Sequence, residues 1–171
     1  GEEIASPFSG DIPTFTASLT PHEVEQLLLN DAINRFSADY VALVSYNNSD
    51  GAYQVLLASR KNLRGDHLRQ ALINRFSSFF TSGDTHAIGW SEHLFETGFK
   101  ENLTLLGFHS SYSALLGGQE QIVWLGFTEQ RSEARYRHGV EEYLRIVGRR
   151  LDDYRHIIEL QDKYSREKEL T

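Results

Sequence analysis

Cysteine is absent from the chain. That excludes disulfides, thiolate zinc sites, iron–sulfur clusters, cysteine nucleophiles and cysteine-linked chromophores. Methionine is absent too, position 1 included, so Gly1 reads as the start of a piece cut from a longer protein. Positive charge is short: 17 Lys+Arg stand against 24 Asp+Glu, a net charge of -7. A bulk nucleic-acid or anionic-membrane binder needs the opposite balance. No apolar run approaches the roughly 18 residues that span a bilayer, and no signal peptide is visible. The expected setting is cytoplasmic.

What is present is enough for one domain. The chain has 171 residues, 40% hydrophobic and 24% charged, a balance that buries a core. Residues 1–19 read as an irregular arm or linker, which Ile4, Phe8, Ile12 and Phe15 can tack onto a body. Thr20-Pro21-His22-Glu23 has the form of a capping box with proline at the first helical position. Val24, Leu27, Leu28, Ala32, Ile33 and Phe36 then follow helical spacing, which predicts a helix over 21–37. Two short strands, 41–46 and 53–59, flank the polar cluster Asn47-Asn48-Ser49-Asp50-Gly51 and predict a hairpin. A second helix is expected over 66–81, a short strand over 86–90, and a brief helix over 91–98 with a serine cap and a glycine stop.

Residues 103–116 and 119–128 read as two long strands joined by a two-residue turn, Gly117-Gly118. The second is apolar on both parities: Val123, Leu125 and Phe127 on one, Ile122 and Trp124 on the other. Such a strand needs cover on both faces. The expected fold is therefore α+β, a central antiparallel sheet with helices on each side. From about residue 132 to beyond 167 the chain reads as one proline-free helix of roughly 50 Å, at about 1.5 Å per residue. Val140, Leu144, Val147, Leu151, Tyr154 and Ile158 form an a/d seam along it.

This order of elements resembles the GAF domain family over roughly residues 20–160. The helix Pro21–Ser37, the hairpin around Asp50-Gly51 and the segment Leu115–Phe127, with its apolar-Gly-apolar strand, carry the likeness. PAS domains share the architecture. The resemblance implies a five- or six-stranded antiparallel sheet with the N- and C-terminal helices on one face and a small-molecule pocket on the other. It also implies three segments: an arm at 1–19, a sensory domain at 20–150, and a signalling helix at 151–171 leading to an output domain.

Catalytic chemistry finds no support. None of the histidines His22, His67, His86, His93, His109, His138 and His156 sits in a zinc motif, and there is no nucleophile elbow or phosphate loop. No catalytic residue, metal or cofactor is therefore assigned, and the chain is not expected to be an enzyme. A binding role fits better. Trp90 and Phe95 lie where the resemblance puts the pocket cover. Phe108, Ser110 and Tyr112 share one strand parity and make a candidate floor. Arg75, beside Phe76, offers a charged fork to an anionic ligand. A haem held by His86, His93 or His109 is a weaker alternative. Arg149-x-x-Asp152 is a spacing that binds cyclic dinucleotides in some signalling proteins, but on a helix it is an ordinary i, i+3 pair.

The seam of the last helix needs a partner. Its proximal part suits the first helix. Its distal part, Leu151, Tyr154 and Ile158, suits a second copy in a parallel homodimer. The expectation is a dimeric, ligand-sensing regulatory domain of a bacterial-type signalling protein, of the histidine kinase (two-component) or diguanylate cyclase (cyclic-di-GMP) kind. A ligand-free dimerisation and spacer module is the rival.

Overall fold

A computed structural model describes residues 10–60, 65–90, 103–118 and 121–170. The first helix, α1, spans Pro21–Phe36 and begins as its sequence dictates. The Thr20 hydroxyl accepts from the Glu23 N–H at 3.2 Å, and the Glu23 carboxylate accepts from the Thr20 N–H at 2.9 Å. Two otherwise orphaned donors are thereby satisfied. The helix ends where Ser37 adopts a left-handed conformation and donates to the Ile33 carbonyl. Its buried stripe differs by one residue from the expected one: Leu29 is buried, while Leu27 is turned outward.

Strands β1 (Tyr40–Asn47) and β2 (Ala52–Ser59) form the expected hairpin. Helix α2 spans Gly65–Ser82. Strand β3 is only Gly89–Trp90, shorter than the 86–90 expected. Side-chain bonds replace the missing ladder: the Ser113 hydroxyl donates to the Ala87 carbonyl at 2.9 Å and accepts from the Gly89 N–H at 3.4 Å. Strands β4 (Ser110–Leu116) and β5 (Gln121–Phe127) follow, then helix α3 (Glu133–Glu169).

Two boundaries of the long hairpin need correction. Residues 103–105 are helical, so β4 starts at Ser110 rather than 103. Leu103 is buried on one side of that turn while Leu105 is 85% exposed. Gly107, at φ 91°, then reverses the chain. The apolar run that looked like strand is a helical turn followed by a glycine bend. At the other end Leu116 pairs with Gln121, so four residues rather than two join the strands. The predicted helix over 91–98 lies outside the described residues.

The strands form one antiparallel sheet in the order β2-β1-β5-β4-β3. All seven residues of β5 are buried, as its two-sided apolar pattern requires. Helices α1 and α3 cover one face, with Val41, Leu43, Val123, Leu125 and Phe127 beneath them. Helix α2 covers the other, over Ala42, Val44, Ile122 and Trp124. This is the α+β, two-sided architecture expected. Among the described residues no helix is long and apolar enough to cross a membrane.

The seam of α3 does not behave as expected. Val140, Leu144, Val147, Leu151 and Tyr154 are all buried within this one chain, and Ile158 packs against the same core. Leu151 and Tyr154 are therefore not a surface waiting for a second copy. The sequence shows the stripe correctly but not what covers it: within this chain it shares one core with the sheet, α1 and Phe15 of the arm.

Candidate functional site

The predicted binding residues separate onto the two faces of the sheet. On the α2 face, Trp124 of β5 lies flat along its own strand. A Cβ at Gly126 would stand 2.2 Å from the Trp124 ring and 2.9 Å from Phe108, so only glycine fits at that position. Phe108 stands edge-on to Trp124 at 5.2 Å and to Tyr40 at 5.7 Å. From α2 come Phe76, fully buried, and Arg75, the one charged side chain among the buried described residues. The Trp124 indole N–H is buried without an acceptor.

Trp90 and Tyr112 lie on the opposite face, in the core shared with α1 and α3. Their rings meet at a tilt of 34° with centroids 4.7 Å apart, and the Trp90 indole N–H is likewise buried without an acceptor. Ser110 is not a floor residue. Its hydroxyl donates to the Glu129 carbonyl at 2.9 Å and accepts from the Arg131 N–H at 3.2 Å, tying β4 to the approach of α3. Phe108, Ser110 and Tyr112 therefore do not make one surface. Parity fails because Phe108 belongs to the Gly107 bend, before the pleat begins. Phe95 lies outside the described residues.

Trp124, with its buried indole N–H, is not among the candidate site residues read from the sequence. Its signal was present: a tryptophan in a strand covered on both sides, with a glycine two residues on.

The α1/α3 face has its own recess, about 450 Å³, between β4 and α3. Tyr112, Leu115, Leu144, Arg145 and Arg149 are among its walls. Burial, then the nearby Glu141 carboxylate, holds the Tyr112 hydroxyl above its ordinary pKa. Asp152, the acidic half of Arg149-x-x-Asp152, lines the same recess and is already engaged. Both its oxygens accept from the Gly118 N–H, at 3.0 and 3.1 Å. One turn on, Arg155 donates to the Gln121 side-chain oxygen, and its burial lowers its pKa. Helix α3 thus grips the β4–β5 hairpin on one flank. Among the described residues no group of three or more His, Cys, Asp or Glu is placed to hold a metal.

No protein-family model matches the chain, and no curated protein matches it. Solved structures do. The GAF3 domain of a Synechocystis protein, in its photoproduct state, superposes with a TM-score of 0.55 at 12% identity, covering 85% of this chain and 99% of that one. SdiA of Escherichia coli gives a TM-score of 0.48 at 12% identity, covering 82% of this chain and 63% of that one. The chain has a GAF-like fold.

Proposed function

We propose that this chain is a ligand-sensing, dimerising regulatory domain of a bacterial-type signalling protein of the histidine kinase or diguanylate cyclase kind, not an enzyme. The observation that carries the reading is the α2 face of β5. There a buried indole N–H without an acceptor lies among aromatic rings, and α2 adds a buried guanidinium, Arg75. A buried donor with no partner costs about 1–3 kcal/mol, and a small molecule bearing an acceptor removes that cost. Ligand sites combine this kind of apolar lining with a few placed polar groups.

The same strand reaches the exit helix. Trp124 faces the ligand side, while Gln121 at the start of β5 and Gly118 before it are held by Arg155 and Asp152 of α3. Occupancy on one face would tilt the hairpin and load the turn of α3 that grips it. The effect requires two arrangements of the helix with different ligand affinity. The output is a domain joined downstream, in the cytoplasm, and the active species is a homodimer.

One observation favours the rival spacer reading: Phe108 and Trp124 are 2% and 0% exposed and fill the space between them. Native mass spectrometry of the freshly purified chain decides. Extra mass on each subunit, lost in Trp124→Phe, is the expected result. Bare protein, with no rise in Tm across a panel of small metabolites, overturns ligand sensing and leaves the spacer.

A further inference from the structure

We propose that the recess between β4 and α3 is a second small-molecule site, one that takes a compact organic monoanion with an apolar body. It lies across the sheet from Trp124 and so goes beyond the ligand site of the proposed function. The recess exists because the sheet ends early. Among the described residues β3 pairs with β4 at Ser113 and Tyr112 alone, and no described strand flanks β4 on that side from Ala114 onward. Helix α3 closes over this stretch, so near that a Cβ at Gly148 would stand 3.0 Å from the Gly117 nitrogen. The space left between them is about 450 Å³, a size that small-molecule sites commonly have.

Tyr112, Ala114 and Leu144 supply the apolar part of its lining. The charged part is one stripe of α3: Glu141, Arg145, Arg149 and Asp152, which fall within about 80° of arc at about 100° per residue. The two carboxylates are already engaged. Glu141 accepts from Arg137 at 3.1 Å, and Asp152 accepts from the Gly118 N–H. The two guanidiniums are not. Arg145 comes no nearer than 3.8 Å to the Glu142 carboxylate, and Arg149 has no hydrogen bond or ion pair among the described residues. Both stand exposed at the mouth, one helical turn and about 6 Å apart. That spacing lets the pair grip a single carboxylate or sulfonate. The Tyr112 hydroxyl also makes no hydrogen bond among the described residues, and its raised pKa keeps it a donor at neutral pH. Glu141 and Asp152 mark the two ends of the stripe, about 16 Å apart. A second negative charge placed toward either end meets one of them, so the site disfavours polyanions. An occupant would press on the same turn of α3 whose Asp152 holds Gly118.

Fluorescence titration of the full chain with anilinonaphthalene sulfonate, an aromatic monoanion, tests the inference. Saturable binding is the expected result. Arg145→Gln combined with Arg149→Gln is expected to weaken it at least about tenfold, the loss of charged hydrogen bonds. Phenylnaphthylamine, the same rings without the sulfonate, is expected to bind the wild type weaker by a similar factor. Equal affinity for the two dyes, or an unchanged affinity in the double variant, overturns the site, and so does no binding at all. Amide chemical shifts of the wild type give a reading that needs no variant. Titration with the sulfonate is expected to move Ala114, Gly118 and Arg149. Shifts confined to α2 and to the strand residues beneath it place the probe on the other face and overturn the inference. Such a failure leaves the ligand site of the α2 face standing, because that site contains neither arginine and is tested by Trp124→Phe.

Discussion

The two faces of the sheet are held in different ways. The α1/α3 face is stitched by polar side chains: Tyr143 to Asp31, Tyr154 to Leu19, Arg150 to the arm, Asp152 to Gly118 and Arg155 to Gln121. On the α2 face Arg69 is tied to the Val55 carbonyl and Ser113 to Ala87 and Gly89, around a core of apolar and aromatic side chains. Packing without directional bonds tolerates rearrangement more readily than a hydrogen-bonded lattice does. On the proposed reading the α2 layer is the side that opens to admit a molecule, and the α1/α3 layer is the side that transmits. Regions that move in regulation are drawn from the less stable parts of a fold.

The largest expected effect tests the packed side. Trp124→Ala should cost about 3–5 kcal/mol, the range for deleting a buried aromatic, read by urea denaturation. Trp124→Phe sharpens the comparison, because it keeps a ring and removes the unpaired N–H. Its cost should fall to about 1 kcal/mol or less, the lost packing being offset by relief of the buried donor. A Trp124→Phe loss as large as that of Trp124→Ala would mean the indole N–H is satisfied and the α2 face is held by directional bonds like the other.

The stitched side should show itself in pH. The Tyr143 hydroxyl donates to Asp31 at 2.6 Å. Burial first, and then that bond, raise its pKa far above the ordinary tyrosine value. In the unfolded chain the phenol ionises near pH 10; in the folded chain it stays protonated. Its contribution is therefore fully present below about pH 10 and falls above it by about 1.4 kcal/mol per pH unit. Tyr143→Phe should lose about 1.5–3 kcal/mol at neutral pH, the value of a bond to a charged acceptor. It should also flatten the loss of stability between pH 10 and 11. An unchanged alkaline slope in Tyr143→Phe would break the argument.

Much of this arrangement was legible in the residues. Thr20 and Glu23 announce the start of α1 because a capping box is local chemistry. The two apolar parities of β5 announce helices on both sides because burial leaves no other option. Phe108 and Tyr112 misled because strand parity was carried back through Gly107, where the backbone leaves the pleat. The α3 stripe misled in another way. An a/d spacing records that something apolar must be met, and it is silent on whether the partner is α1, the arm or another molecule. Trp124 passed as ordinary core because its unpaired N–H depends on what surrounds it in space.

The smallest effect is the most diagnostic of how the helix meets the sheet. Gly148 lies inside α3, where glycine is about 1 kcal/mol less favourable than alanine. On a freely projecting helix Gly148→Ala would stabilise the protein by about that amount. Here a Cβ at 148 would stand 3.0 Å from the Gly117 backbone nitrogen, and backbone does not yield as a side-chain tip does. Gly117, at φ 66°, already forms the turn that Asp152 holds through Gly118. Alanine must push the hairpin off the helix, at about 1–3 kcal/mol for overpacking. The helix-propensity gain offsets part of that, leaving a net loss of about 1 kcal/mol. Asp152→Asn should remove the effect in part by loosening the hairpin, so the two substitutions are expected to be non-additive in a double-mutant cycle. A stabilising Gly148→Ala would show that α3 and the β4–β5 hairpin do not touch in solution, and that the α1/α3 face is no better stitched than the other.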